Sequence, residues 1–291
     1  MKPQIKSHPI WAYVILAYAI TWLIQLPELI LMRGNYHFTG RYLVLLNVAS
    51  YGPSLAAVIV TAITQGGAGV KALLKRLIQW RVSWLVYLVT FFVFPLIFFI
   101  GYQMLGIRAA DGENLLVFMT LVVAIPINAP IAAVLLGIGP LGEELGWRGF
   151  MLPRLLERYG DFSSSVILGL VWAFWHLPVF LFAEWRGDIP FATALALYPL
   201  GTIAIATIMT KLHHWSRGSV LMAILFHGVI NYVADSKDFW QSGQFSPLQL
   251  QLILIGLFMV TALVFWALSK TGFPKQIAPQ EAPQRDHDPT V

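Results

Sequence analysis

The sequence predicts an all-α, polytopic membrane protein with about eight transmembrane helices. Of its 291 residues, 58% are apolar and only 11% are charged, whereas an ordinary soluble domain has about a quarter charged residues. Eight stretches without any charged residue, 17 to 31 residues long, divide the chain. A helix crosses a bilayer with roughly 17–25 mostly apolar residues. The predicted spans are 7–27, 42–70, 82–107, 114–142, 162–183, 189–210, 218–234 and 239–269.

The basic residues predict the orientation. If the eight stretches alternate across the bilayer, 14 of the 19 Lys and Arg residues lie on the side that holds both chain ends. Under the positive-inside rule that side is the cytoplasm. This arrangement explains the basic pI of about 9.5 without a nucleic-acid partner. The chain contains no cysteine, which excludes disulfides, thiolate zinc sites and cysteine catalysis.

The domain organisation is predicted to be simple. Residues 1–270 form a single membrane domain, and residues 271–291 form a polar, disordered cytoplasmic tail. The first apolar stretch is long enough to span and is not expected to be a cleaved signal peptide. Within 68–81, apolar residues recur at helical spacing. This pattern is typical of an amphipathic helix at the cytoplasmic interface, and a solvated connector explains it equally well.

Two of the seven histidines lie inside apolar stretches, and the other five lie near span ends, in loops or in the tail. His176 lies in VWAFWHLPVF and His227 in LMAILFHGVINYV. Asn231 follows His227 by four residues, so both project from one helical face. Ionisable residues inside membrane segments are candidate functional groups because burying them is costly. Either histidine alone is explained as well by a buried structural hydrogen bond.

A carboxylate pair is the strongest local signal. Glu143 and Glu144 stand in GPLGEELGWRGFMLPRLLER, and adjacent helical positions point about 100° apart. Glu144 and Arg148 have the i, i+4 spacing that favours an ion pair. Glu143 is then free to face the interior as a general base. Three glycines, at 142, 146 and 149, permit close approach of helices there. Taken alone, the segment also fits an interfacial charge cluster that ends a span.

A glutamate, two histidines and an asparagine on three spans could activate water and hold an oxyanion. The sequence resembles the CPBP family of CAAX-processing and bacteriocin-processing intramembrane endopeptidases, also called type II CAAX prenyl endopeptidases, lysostaphin-resistance-like or Abi proteins. Its motifs appear in order within 143–231, as the pair of glutamates followed by Arg148, as Trp172 four before His176, and as His227 four before Asn231. The family more often has phenylalanine where this chain has Trp172, a departure expected to affect packing more than chemistry.

The resemblance implies an intramembrane peptidase with its active site inside the helix bundle. Glu143 and His176 are expected to activate water, and His227 and Asn231 to donate hydrogen bonds to the oxyanion. The other three motif residues are structural. Glu144 and Arg148 hold the first motif's helix in register, and Trp172 packs beside His176 and keeps the pocket dry.

The cofactor and the mechanism class remain open from the sequence. Two histidines and a carboxylate are a common zinc set, but there is no HExxH motif, and the resemblance favours a site without metal. No metal ligand is assigned, and zinc stays a possibility. A non-hydrolytic membrane scaffold or immunity factor is one alternative. A proton-coupled transporter is another, although no internal duplication supports it.

The expected partners are the lipid bilayer and a peptide or membrane-protein substrate. Prenylated CAAX proteins are eukaryotic, whereas the short loops and lack of cysteine fit a bacterial inner-membrane protein. For such a protein the resemblance implies bacteriocin processing, self-immunity or trimming of a membrane protein.

Overall fold

A computed structural model describes most of the chain. It covers residues 2–109, 114–135, 139–235, 240–241 and 245–273. The described part ends shortly after Lys270, the last residue of the predicted membrane domain. Most of the predicted tail, 274–291, lies outside the described residues.

The described chain is almost entirely helical, which confirms the predicted all-α class. In chain order the helices are α1 (Lys2–Ser7), α2 (Pro9–Leu31), α3 (Gly40–Ala49), α4 (Gly52–Lys75), α5 (Trp84–Leu88), α6 (Phe94–Met104), α7 (Asn114–Pro130), α8 (Pro140–Glu144), α9 (Leu152–Leu156), α10 (Asp161–Trp175), α11 (Ala183–Arg186), α12 (Phe191–Trp215), α13 (Val220–Asp235) and α14 (Pro247–Lys270). Single 3₁₀ turns occupy Arg76–Ile78 and Leu177–Leu181, and π-helical turns occupy Val89–Val93, Ile131–Leu135 and Leu145–Met151. Two short strands, β1 (Arg108–Ala109) and β2 (Trp240–Gln241), pair antiparallel.

Helix length separates two groups among the predicted spans. Five described helical segments are long and apolar enough to cross a membrane: Pro9–Leu31, Gly40–Ile78, Trp84–Met104, Phe191–Trp215 and Pro247–Lys270. The second of them contains α3, α4 and a 3₁₀ turn, and the third contains α5, a π turn and α6. Three more are apolar but shorter: Val122–Val134, Asp161–Trp175 and Val220–Ala234. The structure thus supports a multi-pass membrane protein, while the count of eight spans stays a prediction. A run without charges measures apolarity, and it does not report the π turn or 3₁₀ turn that interrupts a helix.

The short helices lie among the long ones. α2 packs along α4, and α12 lies between α10 and α14. α13 contacts α7 and α8, and α10 contacts the π turn Leu145–Met151 that follows α8, so the three motif-bearing segments lie together. The outer faces of the long helices are apolar, as lipid contact requires. Leu23 of α2 is 70% exposed and Leu263 of α14 is 66% exposed.

The predicted amphipathic segment is the end of a kinked helix. Gly66 has φ 68° and ψ −165° inside α4, a backbone conformation that glycine adopts without the steric cost of a side chain. After this kink the chain is helical to Lys75 and then forms the 3₁₀ turn. Leu73 is buried and Leu74 exposed, so the segment has two faces. Its location at the membrane surface stays a prediction.

Close packing at two glycines supports α8 and the π turn that follows it. A Cβ placed on Gly142 would lie 2.7 Å from the backbone of Ser50. A Cβ on Gly146 would lie 2.5 Å from both the carbonyl oxygen of Pro53 and the hydroxyl of Tyr13. These distances are too short for any side chain, so the close approach predicted at these glycines is confirmed. The contact places the carboxylate pair directly against α4.

We expect Gly146→Ala to lower the free energy of unfolding by about 1–3 kcal/mol, the usual cost of overpacking a rigid interior. The atoms that its Cβ would meet belong partly to backbone, which cannot rotate away. A denaturant titration of the protein in detergent micelles measures the change. Gly256→Ala on α14 is the matched control, because nothing lies within 4 Å of a Cβ there. Equal stability of the two variants would contradict the packing argument.

Candidate active site

The site is built on the short helix α8. Gly139, with φ 63°, precedes it in a left-handed conformation that favours glycine, and Pro140 is its first residue. The helix then widens into the π turn Leu145–Met151, a local feature often found at functional sites. Glu143 is 5% exposed and Glu144 is fully buried. Two adjacent carboxylates are therefore held away from solvent, where each needs its own partners.

Glu144 connects the first motif to the third. Its Oε1 atom accepts a hydrogen bond from Nη1 of Arg148 at 2.8 Å and another from Nδ1 of His227 at 2.7 Å. The i, i+4 ion pair predicted from the sequence is therefore present, and it is buried. The contact with His227 was not foreseen. It means that Glu144 joins α8 to α13 as well as stabilising its own helix.

Glu143 is held by two tryptophans. Its Oε2 atom accepts hydrogen bonds from the indole N–H of Trp172 at 2.8 Å and of Trp147 at 3.3 Å. Trp172 therefore does more than pack beside His176, because its indole N–H is a hydrogen-bond donor that phenylalanine would lack. Trp147 is four residues after Glu143, and this i, i+4 spacing could have identified it in the sequence.

His176 caps the carboxyl end of α10 and is half-buried. Its Nδ1 atom lies 2.8 Å from the carbonyl oxygen of Trp172. A carbonyl only accepts, so Nδ1 carries the hydrogen and Nε2 of the neutral ring is left with a lone pair. Aromatic rings surround the imidazole, at centroid distances of 4.7 Å for Trp175, 5.5 Å for Tyr198 and 5.9 Å for Trp185. Tyr198 and Trp185 carried no recognisable signal in the sequence.

Asn231 occupies a different environment from the other motif residues. It lies one turn beyond His227 on α13, as the spacing predicts, but its side chain is exposed. His227 is 4% exposed. The structure therefore brings Glu143, Glu144, Arg148, Trp172, His176 and His227 together, with Asn231 at the accessible edge of this group. Its role as an oxyanion donor stays a prediction.

The zinc possibility was tested against the geometry of the donor groups. Among the described residues, no three side chains of His, Asp or Glu converge as a metal site. The Nδ1 atoms of both histidines are engaged, and the carboxylate of Glu144 is bound to Arg148. The glutamates and histidines of the site, as the structure arranges them, therefore do not fit a metal ion.

Comparison with known proteins agrees with the motifs. Residues 115–233 match a family described as type II CAAX prenyl endopeptidase Rce1-like, and this range contains all three motifs. A similar curated protein is "CAAX prenyl protease 2" of Methanococcus maripaludis, which is 35% identical over 100 residues. The alignment covers 31% of this chain and 34% of that protein, so the chain spans about a third of the relative's length. Residues 115–233 are therefore similar to the Rce1-like family, in agreement with the resemblance found in the sequence.

Proposed function

We propose that this protein is an intramembrane endopeptidase that hydrolyses a peptide bond with water activated by Glu143 and His176. One observation carries the proposal: three motifs far apart in the sequence are bonded to each other inside an apolar bundle. Trp172 donates to Glu143, and Glu144 accepts from His227. The match of residues 115–233 to an endopeptidase family supports the same reaction class.

The first step uses Glu143 and His176. The carboxylate of Glu143 takes a proton from water, and the Nε2 lone pair of His176 accepts water's second hydrogen bond and orients it. The water oxygen attacks the scissile carbonyl carbon and forms a tetrahedral oxyanion. The proton then passes to the leaving amine as the C–N bond breaks. Each group needs only the protonation state that its hydrogen bonds support.

The oxyanion is stabilised from α13. His227 donates Nδ1–H to Glu144, so its Nε2 can donate to the oxyanion only when the ring is doubly protonated. The hydrogen bond to Glu144 fixes the orientation of the His227 ring. Asn231, on the accessible side, adds a second donor once substrate is bound.

The substrate is a peptide or a membrane protein that reaches the site from the bilayer. The printed name of the archaeal relative suggests a prenylated CAAX segment, and the family resemblance also suggests bacteriocin processing or self-immunity. We propose a bacterial inner membrane, because the short loops and the lack of cysteine fit one. We propose that both termini are cytoplasmic, because the basic residues are concentrated on one side.

A comparison of peptide termini tests the proposed function. Cells expressing the native chain should contain new termini among membrane and secreted peptides, and cells expressing His176→Asn should not. Asparagine can still donate to the Trp172 carbonyl but has no counterpart of Nε2. His214→Asn is the control, because His214 is on the exposed end of α12 and pairs with Asp161.

The peptidase hypothesis and the scaffold hypothesis predict different results. New termini present with the native chain and with His214→Asn, and absent with His176→Asn, support the peptidase and identify its substrate. Identical termini in all three cultures would overturn it. If the native phenotype also persisted in His176→Asn, a membrane scaffold or immunity factor would be the better description.

A further inference from the structure

Trp172 contacts four ionisable residues of the site, Glu143, His176, Arg148 and His227. Its indole N–H donates to Glu143 at 2.8 Å, and its carbonyl oxygen accepts from His176 at 2.8 Å. The guanidinium of Arg148 lies over its ring at 4.5 Å, and the ring of His227 meets it edge-on at 5.2 Å. Trp172 is itself only 3% exposed. Such a residue can set the orientation of several groups at once.

The indole N–H is the part of Trp172 that acts on Glu143. Both indole donors, of Trp172 and Trp147, reach the same oxygen, Oε2. They hold the carboxylate by one oxygen and leave Oε1 to meet water. Hydrogen bonds from neutral donors to a carboxylate favour its ionised form, and burial opposes that form.

We propose that Trp172 is a positioning residue that, together with Trp147, holds the Glu143 carboxylate by one oxygen in a fixed orientation through indole N–H hydrogen bonds. This inference rests on the proposed function, in which Glu143 is the general base. It explains what tryptophan adds at a motif position where phenylalanine would pack equally well. The face over Arg148 and the carbonyl bound to His176 are features that phenylalanine also supplies.

Trp172→Phe isolates the N–H, because it keeps an aromatic ring and the backbone carbonyl. We expect the turnover number to fall about 10- to 100-fold, the effect of losing one hydrogen bond to a charged group, with KM nearly unchanged. A defect that only loosened the fold would also raise KM and lower thermal stability. A lower turnover number with both of those values unchanged therefore reports loss of the donor.

Other charged and titratable side chains lie around Glu143, and all of them remain in the variant. They are Tyr13, Glu144, Arg148, His176, Tyr198 and His227. A change in turnover therefore reports the missing donor. Trp215→Phe is the control, because Trp215 is a buried tryptophan whose ring packs against Phe265 and Phe273 rather than against the group around Glu143. Its turnover number should match that of the native protein.

An infrared measurement separates this inference from the proposed function. The difference spectrum of native protein minus Glu143→Gln reports the Glu143 carboxylate without any turnover. In Trp172→Phe its band should change position, because one of the two hydrogen bonds to Oε2 is lost. If Trp172→Phe does not fold, Trp147→Phe should give a smaller change in the same direction, because its hydrogen bond is longer.

Each result has a definite meaning. Slower cleavage at unchanged KM together with the shifted band supports the inference. A native chain that cleaves, with a Trp172→Phe variant that cleaves equally and has the same infrared band, overturns the inference and leaves the proposed function intact. A native chain without cleavage overturns the proposed function, and the role of Trp172 in catalysis with it, whatever the infrared band shows.

Discussion

Glu143→Gln is expected to reduce peptide cleavage by about 10³-fold, within the range that a general base contributes. The amide cannot take the proton from water. Its carbonyl oxygen can still accept from the indole N–H groups of Trp172 and Trp147, so the packing around position 143 is preserved. The loss should therefore appear in turnover, with little change in thermal stability.

The measurement is the cleavage rate of a farnesylated synthetic peptide ending in a CAAX sequence, or of the substrate found by terminus mapping. Glu157→Gln makes the same chemical change at an exposed residue just beyond α9, and it should retain native activity. If Glu143→Gln kept more than a tenth of the native rate, Glu143 would not be the base.

Arg148→Met is expected to lower the free energy of unfolding by about 3–5 kcal/mol, the cost of leaving one partner of a buried ion pair alone. Arg148 is 1% exposed and Glu144 is fully buried, and their contact distance is 2.8 Å. Without the guanidinium, the carboxylate of Glu144 retains only His227 as a described partner. Activity should fall as well, because α8 and α13 are joined through this group.

A double variant distinguishes pairing from simple loss of volume. In Glu144→Gln with Arg148→Met, the ion pair is removed as a whole and Glu144 no longer leaves a charge without its partner, so much of the stability should return. Oε2 of Glu144 and Nε and Nη2 of Arg148 have no hydrogen-bond partner among the described residues, which makes replacement of the whole pair tolerable. Arg41→Met is the control, since Arg41 is largely exposed in its pair with Glu28, and it should cost less than about 1 kcal/mol. A double variant no more stable than Arg148→Met would refute the charge argument.

Much of the fold could be predicted because the bilayer restricts which residues can follow one another along a membrane-spanning helix. Charged residues avoid hydrocarbon, so their spacing along the chain marks apolar helices. The same rule is blind to breaks within an apolar stretch. The π turn Ile131–Leu135 and the end of α10 at Trp175 both lie in runs without charges, and hydropathy does not register backbone hydrogen bonding.

The ion pair could be predicted from spacing within one helix, and the partners of Glu143 and His227 could not. Glu144 and Arg148 are four residues apart, so the helix itself places them in contact. His227 is 83 residues from Glu144, and Trp172 is 29 from Glu143. Contacts between separate helices depend on which faces meet, and no local periodicity records that.

The sequence by itself determined the membrane class, the all-α fold and the identity of the ionisable residues that the interior contains. Those properties follow from the free-energy cost of placing a charged side chain in hydrocarbon. This cost depends on the residue itself and not on which other helices it contacts. The tertiary structure alone decided the other partners of the two carboxylates, which are His227 for Glu144 and two indoles for Glu143. These contacts require atoms of different helices to lie about 3 Å apart. Gly142 and Gly146 permit such close packing, because they bring α8 and its π turn against Ser50 and Pro53.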